Sequence, residues 1–142
     1  MADDRLIVAL DVSTMDAVKE IVLSLGDSVS FYKVGMELFY AEGAKTIRFL
    51  QEQNKQIFLD LKLHDIPNTV KKAMKVLSSL DADMCNLHAA GASEMMKAAV
   101  EGLTREDGTR PLLIAVTQLT STDERALHEE LLIGTSMEQT VQ

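Results

Sequence analysis

The chain has 142 residues, 46% of them apolar and 25% charged, with a net charge of −8. That length suffices for one domain with its own core and is too short for two ordinary ones. The composition is that of a soluble globular protein, and the acidic balance excludes a general nucleic-acid-binding surface or an anionic membrane as partner. An anionic small molecule would need a local cluster of lysines or backbone N–H groups.

Five short, β-prone apolar runs alternate with segments of helical period. The first, Arg5 to Leu10, is far too short for a signal peptide or a membrane span and leads directly into Asp11. Met15, Val18, Ile21, Val22 and Leu25 then recur at helical spacing, with Ser13 or Thr14 as the N-cap and Gly26 as the stop. A second strand is expected over Ser30 to Gly35, followed by a helical face of Ala44, Ile47 and Leu50. The third run is Gln56 to Lys62. Pro67 behind it fits the first turn of a helix whose stripe is Val70, Met74, Leu77 and Leu80.

The fourth run, Ala82 to His88, holds the single cysteine, Cys85. Its apolar setting marks it as a small core residue, and a lone cysteine fits a reducing cytoplasm. Met95, Met96, Ala99, Val100 and Leu103 form a fourth helical face, where methionines at this spacing read as core rather than as an adaptable binding surface. Thr104 to Arg110 is the most loop-like segment, ahead of a fifth run from Leu112 to Leu119. Ser121 with Glu124 has the capping-box pattern and would open the helix "DERALHEELL", with Gly134 closing it. Ser136 with Gln139 opens another helix that has run barely one turn at Gln142, and a start signal without a stop suggests an incomplete chain.

Strands alternating with helices predict right-handed βαβ units and a parallel sheet covered by helices. The polar residues then fall in one place. Asp11 ends strand 1, Lys33 lies near the end of strand 2, and Asp60 and Lys62 end strand 3; His88 ends strand 4 and Thr117 to Thr120 end strand 5. Carboxyl ends of parallel strands share one edge, and ligands bind there. Asp60 and Lys62, two apart on a strand, would point into one cavity while Leu59, Leu61 and Leu63 pack outward. Any one of these residues alone could belong to a structural salt-bridge network at the rim; five consecutive strand ends so equipped point to a site. Asp60, Asp65, His64 and His88 could instead ligate a metal, but Lys62 among the carboxylates competes with a cation.

The stretch "FLDLKLHDIPNTV" has the form D-x-K-x-x-D-I-P-N-T and resembles the signature of the orotidine 5′-phosphate decarboxylase family. "IVALDV", "YKVGMELF", "NLHAAG" and "VTQLTS" are similar to that family at the same relative places. The resemblance implies a (β/α)8 TIM barrel, of which residues 1–142 would be a single partial domain carrying roughly the first five β/α units, since a whole barrel takes about 250 residues. The family's phosphate-binding arginine and glutamine and its closing loop belong to later units.

What the resemblance implies for function is cofactor-independent decarboxylation of orotidine 5′-monophosphate to UMP in a cytoplasmic homodimer with shared active sites, without metal. Lys62 would be the proton donor, Asp60 would lie against the substrate carboxylate, and Asp65 would come from the partner subunit. Lys33 would bond the ribose and hold Asp60. Asp11 and the partner's Thr69 would take ribose hydroxyls, and Thr120 would meet the pyrimidine edge. A bare D-x-K-x-x-D is shared with sugar-phosphate relatives such as hexulose-phosphate synthase, which a magnesium requirement would favour; a non-catalytic α/β association module is the rival from another class.

Overall fold

The computed structural model describes residues 5–142, and in it five strands form one parallel sheet in the order β1-β2-β3-β4-β5. They are β1 (Ile7–Ala9), β2 (Phe31–Gly35), β3 (Gln56–Leu63), β4 (Met84–His88) and β5 (Leu112–Val116). The connections carry α1 (Met15–Leu25), α2 (Met36–Glu42) with α3 (Ala44–Glu52), α4 (Pro67–Ser79) and α5 (Ala92–Leu103). Strands paired in chain order through helical crossovers are the β/α units of a TIM barrel, and the chain forms five of the eight.

Local chemistry sets most of the boundaries. Of the two candidate caps for α1, Thr14 is the one used: its hydroxyl accepts from the Ala17 N–H at 3.4 Å. Gly26 ends that helix at φ +48°, where a side chain would be strained. Pro67 occupies the first turn of α4, where its missing N–H is no loss. Lys55 donates to the carbonyls of Gly26 and Val29 at 2.7 and 2.9 Å, tying the start of β3 to the end of α1.

One face of the sheet carries Leu10, Tyr32, Val34, Ile57, Leu59, Cys85 and Leu87, all buried with Val18, Val22, Leu50, Met74, Met95 and Leu103 of the helices. Cys85 is therefore core, and burial pushes its thiol up to about 11 against the opposing pull of Arg110. Because side chains alternate along a strand, the other face is left to Phe31, Lys33, Phe58, Asp60, Asn86 and His88. No helix among the described residues is long and apolar enough to cross a membrane.

The tightest helix contact is between α4 and α5. Ser78 Oγ donates to the Leu103 carbonyl at 2.8 Å, Lys71 pairs with Glu101, and Gly102 lies against the Lys71 carbonyl. A Cβ at Gly102 would come within 2.2 Å of that oxygen, inside van der Waals contact. Gly102→Ala is accordingly expected to destabilise the fold by about 1–3 kcal/mol through forced separation of the two helices. Urea unfolding of parent and variant measures it, and equal midpoints would show that the helices part freely.

Strands β1 to β4 differ from the expected runs by one or two residues at their ends, and three departures are larger. The expected face of Ala44, Ile47 and Leu50 is α3, but a further helix, α2, precedes it, and Gly43 at φ +58° separates the two between Glu42 and Ala44. β5 stops at Val116 rather than Leu119, since its partner β4 ends at His88, the residue opposite. The Ser121–Glu124 capping box does not form. Asp123 accepts from Ala126 N at 2.7 Å and opens a turn of π-helix over Ala126–Glu130, while Glu124 accepts from Met137 N at 2.9 Å. That turn closes at Leu131, not Gly134, and Leu132 at φ +56° redirects the chain. The Ser136–Gln139 box is present and starts α6 (Met137–Val141).

Candidate active site

Four charged side chains meet at the carboxyl ends of β1, β2 and β3. Asp60 is at their centre. Its Oδ1 receives Lys62 Nζ at 2.5 Å and Asn86 Nδ2 at 2.6 Å, and its Oδ2 faces Lys33 Nζ at 3.3 Å. Lys33 also reaches Asp11 Oδ1 at 3.5 Å. The result is a charge row, Asp11–Lys33–Asp60–Lys62, that balances two cations with two anions. Asp60 is 13% exposed and Asp11 78%, so the row runs from a shielded carboxylate out to a solvated one.

Burial alone would raise the Asp60 carboxyl, but hydrogen bonds from Lys62, Asn86 and Lys33, with the charge of Lys62, outweigh it and hold the group below the ordinary aspartate value. Asp60 is therefore an anion at neutral pH. The sign of the linkage follows: its stabilising effect is complete above about pH 4 and is lost as acid protonates the folded-state group. His88 is shifted the other way. Burial lowers it, and the neighbouring His64 and Lys62 add to the effect, leaving a neutral imidazole at pH 7.

Plain strand alternation does not by itself bring Asp60 and Lys62 together. The β3–β4 register pairs Leu59 with Cys85 and then Leu63 with Leu87, so β3 takes four residue steps where β4 takes two. The extra residues form a bulge, the kind of irregularity that re-aims a side chain. Within it Lys62 sits at φ +49°, left-handed backbone that costs a non-glycine residue roughly 1–2 kcal/mol. Its N–H, which has lost a ladder partner, donates to Asn86 Oδ1 at 2.7 Å. Asn86, only 2% exposed on β4, is the residue that the sequence reading passed over. An amide in the middle of the apolar run "MCNLH" was the available signal, since a buried polar side chain must find partners.

A cavity of about 220 Å³ opens over the row, lined by Asp11, Lys33, Asp60 and Lys62 with Leu10 and Gly35 among its walls. Lys62 also borders a second, more apolar groove of about 700 Å³ between α2 and α4. Asp65 and Thr69 line this second groove together with His64 and His88, not the first cavity. Asp65 is exposed, and its Oδ1 accepts from the N–H of Ile66 at 2.6 Å. Thr69 is exposed in the first turn of α4. Thr120 lies in a turn four residues past the end of β5, exposed and outside both cavities.

The alternative ligand set is not assembled. His64 and His88 approach, with ring centroids 5.6 Å apart, but both Asp60 oxygens face lysines, and no group of three metal-ligating side chains converges among the described residues.

The family model described as orotidine 5′-phosphate decarboxylase / HUMPS family matches residues 4–142. An orotidine 5′-phosphate decarboxylase of Geobacillus sp. (strain WCH70) is 54% identical over 142 residues, covering 98% of this chain and 59% of that relative. That of Bacillus caldolyticus is 54% identical over 138 residues, with 95% and 57% covered. A crystal structure of orotidine 5′-phosphate decarboxylase from Lactobacillus acidophilus matches with a TM-score of 0.88 at 43% identity, over 96% of this chain and 62% of that one. The chain thus spans roughly three fifths of the length of the relatives it matches.

Proposed function

The chain belongs to the orotidine 5′-phosphate decarboxylase / HUMPS family, and on that premise we propose that its charge row serves the decarboxylation of orotidine 5′-monophosphate to UMP and CO2 in pyrimidine biosynthesis. The observation that carries this reading is the contact of Lys62 and Lys33 with opposite oxygens of one shielded carboxylate at the floor of a cavity. In the reaction the bond from C6 of the pyrimidine to its carboxylate breaks, CO2 leaves and the electron pair stays on C6. The Lys62 ammonium stands beside that carbon and delivers the proton. A cation held there interacts most strongly as charge develops, so it lowers the barrier rather than merely binding substrate.

The same reading gives each remaining residue a role. Asp60 faces the substrate carboxylate and holds the Lys62 ammonium in place, Lys33 and Asp11 bind the ribose, and Thr120, which lies outside both cavities of this chain, is assigned to the pyrimidine edge by the family resemblance alone. Asp65 and Thr69, which line the outer groove instead of their own cavity, complete the site of a second subunit in a cytoplasmic homodimer. The reading needs no cofactor or metal, because Asp11 and Asp60 are already matched by Lys33 and Lys62.

The test is turnover by the full-length gene product after exhaustive chelation. UMP and CO2 should form at the untreated rate. Loss of activity with EDTA, restored by magnesium, would move the protein to the sugar-phosphate branch that the family's description also covers.

A further inference from the structure

Lys62 could not hold its place through its own strand. Its backbone is left-handed, its N–H has no ladder partner at the bulge, and its ammonium must meet a carboxylate only two residues earlier. One side chain answers all three demands. Asn86 accepts from the Lys62 N–H at 2.7 Å and donates to Asp60 Oδ1 at 2.6 Å, the oxygen that Lys62 Nζ also touches. A carboxylate can only accept and a backbone N–H can only donate, so the two contacts fix which end of the amide is which. No other residue type of this size offers a donor and an acceptor in that fork: Asp lacks the donor at neutral pH, and Leu lacks both.

We propose that Asn86 is the positioning residue of this site: its carbonyl fixes the Lys62 backbone in the bulge, and its NH2 fixes the Asp60 carboxylate against the Lys62 ammonium. The kinetic consequence rests on the decarboxylase reading above. Asn86 faces Asp60 and Lys62 from the neighbouring strand β4, is itself buried, and touches the substrate in neither the reading above nor the cavity lining. It acts through Lys62, so its loss should change the rate of the chemical step more than the affinity for nucleotide.

Two variants of the full-length gene product separate this role from packing. Asn86→Leu removes both contacts and is expected to lower kcat about 100-fold, the effect of a small displacement of a reacting group, with UMP affinity close to that of the parent. Asn86→Asp keeps the size and the acceptor for Lys62 N but loses the donor and sets a second carboxylate against Asp60. Like charges in contact make one of the pair retain a proton to higher pH than an ordinary aspartate, and the protonated form can donate again. The kcat of this variant should therefore recover as pH falls from about 8 to about 6, more steeply than the parent's. A change of packing without a titrating group would not produce that dependence.

Hydrogen exchange at the Lys62 amide supplies a readout that needs no turnover. Protection should survive in Asn86→Asp and be lost in Asn86→Leu. A folded Asn86→Leu with kcat within about threefold of the parent would overturn the proposal, as would an Asn86→Asp pH profile that parallels the parent's. Should Asn86→Leu not fold, the Asp variant decides the question alone. A parent without decarboxylase activity would sink the functional reading, and the exchange result would then still decide whether Asn86 holds Lys62.

Discussion

Lys62→Ala in the full-length gene product is expected to reduce turnover of orotidine 5′-monophosphate by about 10⁴-fold, with UMP binding still measurable. General acid catalysis by a positioned group is worth about 10²–10⁴-fold, and a preorganised charge at the developing anion contributes on a comparable scale. Two unit charges 4 Å apart interact by about 4 kcal/mol at an effective dielectric of 20, so the lysine is large enough to matter to the barrier. The variant keeps Lys33 and Asn86 on Asp60, so the carboxylate is not orphaned and the cavity should retain its shape. Steady-state kinetics and UMP titration measure the two quantities separately. Turnover within tenfold of the parent would remove Lys62 from the chemistry.

Mixing Lys62→Ala with Asp65→Ala should restore activity that neither chain has alone. Asp65 lines the outer groove, which Lys62 also borders, and bonds to its own following N–H, while Asp60 lines only the inner cavity. A two-fold dimer makes such a pair reciprocal: each subunit lends Asp65 to the other's lysine. In a mixed dimer one site then carries both substitutions and the other carries neither. With free subunit exchange, about a quarter of all sites become intact. Activity approaching that fraction of the parent's, appearing on the timescale of exchange, is the expected result. No recovery would mean that Asp65 serves its own chain or neither.

The β/α alternation was legible because strand and helix periods differ and because Thr14, Gly26, Pro67 and Ser136 mark ends by local chemistry alone. So was the clustering of Lys33, Asp60 and Lys62, since parallel strands bring their carboxyl ends to one rim. Features that depend on a neighbouring strand were hidden. Lys62 is left-handed only because the β3–β4 register slips between Leu59 and Leu63, and no single run of sequence records a slip between two strands. Where β5 stops is decided by where β4 stops. The seven-residue α2 is too short to show a helical period. At Ser121 three capping residues stand in a row, and the chain uses the third, Asp123.

The sheet's order in space is also its order along the chain. Each strand finds its partner one unit away, which keeps the loops that must close short and favours pairing in sequence as the polypeptide lengthens. All of the charge row and its amide support lie between Asp11 and Asn86. Four strands are enough to neutralise every member of it. Lys33 is already in place when β3 brings in Asp60, and Asn86 arrives with the strand that creates the slip around Lys62. The charge row can therefore be balanced in a nascent chain before β5 has been made, so that barrel growth need not proceed around an uncompensated, shielded carboxylate.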